Sequence, residues 1–481
     1  MEKIKIDTYI WEIPRGTKPG MKVPARLIAS KELLDQLDEG VVDQITNVAC
    51  LPGIRKYALC MPDGHRGYGF PIGGVAAFSL DGGVISPGGI GFDINCGVRL
   101  IRTNLTEEEV KPKLGELIDA LFHLVPSGVG SRGFVKLSGA EFDQLMTEGV
   151  AWCLKKGYAW ESDLECTEQR GVIPGANPDS VSDKAKKRGF DQVGTLGSGN
   201  HYLEIQKVGF DEQCDKSVAS VFGINEPGQI TVMVHCGSRG FGHQIGTDYL
   251  QSFGQVMKKY GIRTNDRELA CAPFDSPEGK AYYEAMACAA NTAFVNRQVI
   301  THRIREGFSR AFGKSAEELG MNLVYDVAHN IAKIETHDTD RGREKVIVHR
   351  KGATRAFGAG NTDLPERYRN VGQPVLVGGS MQTGSYLLVG SAKANRLTFA
   401  STLHGAGRTM SRAAATRRIR GNQLKDQMEK QGIIVRAASM RGLAEEAGFA
   451  YKNVDTVVSV VHDLGISRKV ARMIPLANVK G

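Results

Sequence analysis

The chain has no apolar run near the roughly 18 residues that a membrane-spanning helix needs, and no repeat of fixed period. A membrane span and a solenoid are therefore not expected. The nine cysteines are odd in number and scattered over 481 residues, which does not suit a disulfide framework. The opening residues lack the continuous hydrophobic region of a secretory signal. The expectation is a cytoplasmic protein with reduced thiols.

Glycine is plentiful, at 58 residues, and has no collagen-like period. Many turns must let backbone approach something closely. The +8 formal charge and isoelectric point near 8.9 favour an anionic partner, nucleic acid before membrane. Length alone gives about three domains, but no low-complexity block divides the chain. The expectation is one large α+β domain over residues 1–481, with a β-rich core and surrounding helices.

Short β-rich runs are expected at Gly74–Leu80, Val98–Arg102, His201–Val208, Ile230–His235, Leu323–Val327, Val346–His349 and Pro374–Val377. Helices are expected over Thr106 to about Val125, where Thr106 and Glu109 make a capping-box pattern, over Ala281–Phe308, and over Ala406 to about Ile419. Residues 161–190, with Pro174, Pro178 and the basic stretch 184–188, read as a surface excursion.

The chemistry concentrates at strand ends and Gly-rich turns. Cys96 follows Asp93 by three positions in such a turn, and His201, His235 and His329 each stand beside small or polar residues at the end of an apolar run. A thiolate shared by two cations, with imidazole and carboxylate completing each shell, selects Mn²⁺ or Zn²⁺ over all-oxygen binders. A lone histidine is more often structural than a ligand, and His123, His302 and His462 read that way. Asp63 and His65 share a Gly-rich loop and stand as second-tier candidates.

In an extended segment, Asn200, Tyr202 and Glu204 would share one face and His201 the other. Ser238, Arg239 and Gly240, and the turn Gly378–Gly379–Ser380–Met381, offer N–H groups, hydroxyls and a guanidinium suited to phosphate. His404 precedes Gly405–Ala406–Gly407 and an arginine-rich stretch that includes Arg412. Its imidazole could attack phosphorus, or it could be a surface residue at a helix cap. A P-loop is excluded, because Gly307 to Gly313–Lys314–Ser315 is one residue too long.

The segments Asp93–Gly97, Gly197–His201, His235–Gly240, Ala328–Asn330 and His404–Arg408 together resemble the RtcB family of GTP-dependent RNA ligases, over nearly the whole chain. That resemblance implies joining of an RNA 3′-phosphate or 2′,3′-cyclic phosphate to a 5′-hydroxyl, as in tRNA splicing from exon halves and in RNA repair. It implies guanylylation of His404 and two Mn²⁺ ions sharing Cys96, one also held by Asp93 and His201, the other by His235 and His329. The implied GTP pocket comprises Asn200, His201, Tyr202, Leu203, Glu204, His329, Asn330, Gly378, Gly379, Ser380, Met381, Ser385, His404, Gly405, Ala406, Gly407, Tyr451 and Lys480. Arg239 and Arg412 are candidates for RNA phosphate, and an activator of the archease type is an implied partner. Two departures, Tyr202 for the usual Phe and Leu403 for the usual Cys, remove no needed chemical group. Lys480, one residue from the end, is expected in a tail that orders with GTP. The competing readings are a metal-dependent RNA end-processing phosphoesterase, which needs neither GTP nor His404, and a noncatalytic RNA-binding protein.

Overall fold

Two large sheets divide the β-structure of the computed structural model, which describes residues 1–481. The first has seven strands in the order Ile4–Asp7, Ile10–Ile13, Ala25–Ile28, Ala58–His65, Ile72–Ser79, Gly342–Lys351 and Asn330–Thr339. The second runs Leu323–Ala328, Gly97–Thr106, Gln229–Cys236, Tyr202–Gly209, Ser467–Lys480, Ser385–Gly390 and Pro374–Val377, with Ile434–Ala437 pairing in parallel beside Ser467–Lys480. The fold is α+β with a β-rich core, as expected, and each of the seven β-rich runs coincides with a strand, with Leu80 and His201 one residue outside theirs.

Between the sheets the chain passes through one residue. His329 alone separates the strand Leu323–Ala328 of one sheet from Asn330–Thr339 of the other. Register then lines up the neighbouring strand ends, with Ala328 opposite Gly97, Val98 opposite His235, His235 opposite Tyr202, and Tyr202 opposite Lys480. Residues far apart in sequence thus meet in one row at the edge of the junction.

The helix Pro277–Phe312 underpins this region. Ser276 caps its first turn, Pro277 needs no N–H there, and Gly313 ends it in the left-handed region with φ 66°. Its 36 residues span about 54 Å at 1.5 Å per residue. It is buried along most of its length: Met286 and Phe294 pack in one core, Ile304 and Phe308 in the other, while buried polar residues such as Asn291, Asn296, Arg297 and Arg305 bond to the surrounding backbone and acids.

Four expectations are corrected. The helix from Thr106 to Val125 is broken into Glu107–Val110, a tight turn Lys111–Lys113 and Leu114–Leu124, because Pro112 lacks the N–H that would continue it. Glu109 still accepts from the Thr106 N–H at 2.8 Å. Of residues 161–190 only the part after Ile173 is a surface excursion, since Asp163, Cys166, Glu168 and Ile173 are buried and Arg305 grips Asp163 with two bonds of 2.7 Å, whereas residues 174–190 are mostly exposed or half-buried. The helix expected from Ala406 begins only at Arg412, after Ser411, so His404 lies in an irregular turn rather than at a helix start. The last residues are not a loose tail: Lys480 ends a 14-residue interior strand and is 2% exposed.

Candidate active site at the junction of the two sheets

Cys96 is the centre of the donor cluster. Its Sγ lies 3.3 Å from His201 Nε2 and 3.2 Å from His235 Nε2. His201 Nε2 is 2.8 Å from Asp93 Oδ2, and His235 Nε2 is 3.2 Å from His329 Nε2. Two triads result, Asp93–Cys96–His201 and Cys96–His235–His329, each with its donor atoms within 4.8 Å of one another. The backbone holds the rings from behind, with Leu196 O at 3.1 Å from His201 Nδ1 and Asn200 O at 3.2 Å from His235 Nδ1. This is how a ligating imidazole is kept in one tautomer and orientation.

Burial pushes the Cys96 thiol up to about 12 and holds His235 and His329 well below the ordinary imidazole range. Burial also opposes charge on His201 and Asp93, but Cys96, Cys236 and Asp93 raise the first, and His201 with Arg239 lowers the second. Ionisation of Cys96 to a thiolate beside the Asp93 carboxylate would therefore need a cation bound between them, and the mixed S, N and O donors fit a borderline transition metal.

The loop carrying Cys96 is held by Arg297. This fully buried guanidinium donates to Asn95 O and Cys236 O, both at 2.8 Å, while Asp326 binds it from the other side at 2.8 Å through each of two oxygens. Asn95 sits at φ 54°, with its side chain donating to Ala290 O at 2.6 Å. One side chain on the long helix thus fixes the neighbours of both Cys96 and His235.

A cavity of about 420 Å³ opens beside the cluster. Asp93, Cys96, His235, His329, Asn200, Tyr202, Asn330, Gly378–Met381, His404–Gly407, Tyr451, Lys480, Arg412 and His65 all line it. His201, Leu203, Glu204, Ser385, Asp63 and Arg239 do not. Leu203 packs into the core on the other face of its strand. Glu204 lies on the Tyr202 face but deeper, accepting from Gln206 Nε2 at 2.7 Å, and Ser385 Oγ accepts from Gly379 N at 3.3 Å. Arg239 is folded over Gly197, with Nη1 2.9 Å from His201 Nδ1, so it meets a donor ring rather than the cavity.

His404 faces the cavity with its ring centroid 4.7 Å from that of His329. Its Nδ1 is 2.6 Å from Asp63 Oδ2, which also accepts from the N–H groups of His404 at 3.2 Å and Gly405 at 3.3 Å. Burial disfavours the Asp63 charge, but His404 outweighs it and holds the carboxyl below its usual range. Gly407 sits at φ +77°, where a Cβ would lie 2.1 Å from Asp63 O, so the turn closes on the aspartate only with glycine there. His65 Nδ1 is 3.0 Å from Asp63 O, and burial lowers its pKa to about 4.

The family model for tRNA-splicing ligase RtcB matches residues 44–481. The chain belongs to the RtcB family. A tRNA-splicing ligase RtcB from Archaeoglobus fulgidus is 56% identical over 477 residues, which is 99% of this chain and 98% of that protein. Its counterparts from Thermococcus kodakarensis and Pyrobaculum aerophilum are 55% and 53% identical over 99% of this chain, and over 98% and 99% of their own lengths.

In this RtcB-family site, sequence reasoning passed over Glu446. Its carboxylate is 1% exposed, lines the cavity, hydrogen-bonds to the Tyr451 hydroxyl and accepts from Arg412 Nε at 3.1 Å and Arg408 Nη1 at 3.3 Å. Lys351 was also missed; its ammonium is buried among the carbonyls of Tyr68, Phe70 and Gly88. Glu446 sits in a sequence with several other acids, and only the fold singles it out. Lys452 offered equally little signal, yet it braces the segment around Asp63, which lies in the strand Ala58–His65 rather than in the loop expected, by donating to Pro62 O and Gly64 O at 3.0 and 2.7 Å.

Proposed function

We propose that the chain is a GTP- and Mn²⁺-dependent RNA ligase that joins an RNA 3′-phosphate, or a 2′,3′-cyclic phosphate after opening, to a 5′-hydroxyl. The observation that carries this reading is that His404, oriented by buried Asp63, faces one cavity together with Asp93, Cys96, His235 and His329 of the two Cys96-centred triads. The names of the relatives, tRNA-splicing ligases, support RNA as the substrate.

Asp63 accepts the Nδ1 proton of His404, which leaves Nε2 with its lone pair available. Nε2 attacks the α-phosphorus of GTP, the bond to the β-phosphate oxygen breaks, and pyrophosphate leaves. An oxygen of the RNA 3′-phosphate then attacks the histidine-bound phosphorus, returning Nε2 to its free state and giving an RNA end activated by GMP. The 5′-hydroxyl attacks the RNA phosphorus, its proton passes to solvent and the bond to GMP breaks so that GMP leaves, which divides one hard displacement into easier steps. Asp93, Cys96, His201, His235 and His329 would hold two Mn²⁺ ions, whose chemistry is Lewis-acid stabilisation of phosphoryl charge.

Tyr451 offers a flat wall for the base and Lys480 a cation held by Gly199 O and His201 O at 3.0 and 3.1 Å, while Glu204, set back from the cavity wall, is the acceptor for the donor edge of guanine. Arg412 takes up phosphate at the cavity mouth. The whole chain, residues 1–481, acts as one ligase unit in tRNA splicing and RNA repair in the cytoplasm, with help from an archease-type activator. No helix is long and apolar enough to cross a membrane.

The test is ligation of two RNA oligonucleotides, one ending in a 3′-phosphate and the other starting with a 5′-hydroxyl. GTP and Mn²⁺ should both be required, and His404→Ala should abolish product. Joining without GTP would reject the guanylylation route, and release of phosphate in place of joining would reject the ligase in favour of a phosphoesterase.

A further inference from the structure

Beside the cavity mouth lies a basic surface with an exposed aromatic ring. The helix Arg412–Arg418 starts at Arg412, which lines the cavity, and carries Arg417 and Arg418 outward, followed by Arg420. At 1.5 Å per residue, Arg417 and Arg418 stand about 7.5–9 Å further along the axis than Arg412, about one nucleotide step of an extended strand. All three outer arginines are exposed. Arg412 has Glu446 as an ion partner and Arg441 has Glu445, whereas Arg417, Arg418 and Arg420 have none.

Phe449 is 40% exposed, with the Arg418 guanidinium 5.3 Å from its ring centroid. It lies between Glu446 and Tyr451, which both line the cavity. A shallow recess of about 260 Å³, lined by Thr416, Ile419, Arg420, Met440, Arg441 and Ala444, adjoins the same helix. Cations without carboxylate partners, on and just after a helix whose first residue lines the cavity of the reactive histidine, and an exposed aromatic ring beside them are what a single strand of nucleic acid requires: charge for phosphates and a platform for bases.

We infer that this face is the binding track for the single-stranded RNA leading to the reacting end, with Arg417, Arg418 and Arg420 on its phosphates and a base stacked on Phe449. The inference rests on the ligase reading for the identity of the strand. It goes beyond that reading in locating where the strand runs and how it is gripped.

The experiment is a fluorescence-anisotropy titration of a labelled single-stranded RNA 3′-phosphate from low to moderate KCl, using parent, Phe449→Ala, Phe449→Trp and the triple variant Arg417→Ala/Arg418→Ala/Arg420→Ala. Loss of one stacked base should weaken binding about 5- to 150-fold in Phe449→Ala without changing the salt slope, and Phe449→Trp should restore it. The triple variant should lower the slope of log K against log salt by about 2, at roughly 0.7 per lost phosphate contact on a single strand. Parent-like affinity and slope in both the Phe449→Ala and triple variants would overturn the proposal and give the surface to another class of partner, such as an acidic protein. An equal loss on an RNA duplex probe would overturn the stacking part. Labelling of each variant by α-³²P GTP without RNA reports separately on the cavity: if the parent itself takes no label, the ligase reading fails while the RNA titrations still decide the track.

Discussion

Asp63 Oδ2 stands 2.6 Å from His404 Nδ1 across 341 positions of sequence. The carboxylate is buried and makes two further bonds to the backbone of the same turn, so it sets both the tautomer and the orientation of the ring. Asp63→Asn keeps the shape but removes the acceptor charge. Transfer of GMP to His404 should slow about 10²- to 10⁴-fold, while GTP affinity stays within a few fold. Single-turnover labelling with α-³²P GTP measures the first, and calorimetry the second. An undiminished rate would remove Asp63 from the mechanism.

Cys96 belongs to both triads, and His329 to one. Cys96→Ala should therefore lose both Mn²⁺ ions at concentrations that fill the parent, and His329→Ala should keep one. Electron paramagnetic resonance of free Mn²⁺ gives the stoichiometries directly. Equal losses in the two variants would contradict a shared thiolate.

Burial pushes the Glu204 carboxyl from 4.5 up to about 7. Because the folded-state pKa lies above the unfolded one, the proton on Glu204 favours the folded state most below the unfolded pKa, and that contribution is lost as pH rises through about 7. Guanine donors require the ionised form. GTP affinity should increase as pH rises through 7, and Glu204→Gln should flatten this dependence. Calorimetry from pH 6 to 8 checks it, and an identical pH profile in the variant would exclude Glu204 as the titrating acceptor.

A Cβ at Gly307 would lie 2.7 Å from Leu121 Cδ2, where the long helix meets Leu114–Leu124. Gly307→Ala should cost about 1–3 kcal/mol by overpacking, and Leu121→Ala about 2–5 kcal/mol through the cavity it leaves. In the double variant the new methyl occupies part of that space, so the two costs should sum to more than the measured loss. Denaturant unfolding of the four proteins gives the coupling, and strict additivity would contradict the contact.

Much of the donor set was legible because Cys96 follows Asp93 by three positions in a Gly-rich turn and His201, His235 and His329 each stand beside small or polar residues at the end of an apolar run, local signals that need no tertiary knowledge. Their convergence was not legible, since it follows from the pairing of Val98, His235 and Tyr202 across three strands and from the passage of the chain between sheets at His329. Asp63 stood out as an acid in a Gly-rich loop, but nothing local ties it to His404. The helix expected from Ala406 failed because Gly407 takes φ +77° to close on Asp63 O, and tertiary contact overrode the helical periodicity that follows. Lys480 was misread because position near the end of a chain says little once a strand pairs on both sides.

The central claim is that His404 becomes covalently guanylylated. Purified protein incubated with Mn²⁺ and α-³²P GTP, then separated by denaturing electrophoresis, should carry label in the parent and none in His404→Ala, and RNA with a 3′-phosphate should discharge it. Absence of label on the parent, or equal label on the variant, would contradict the account.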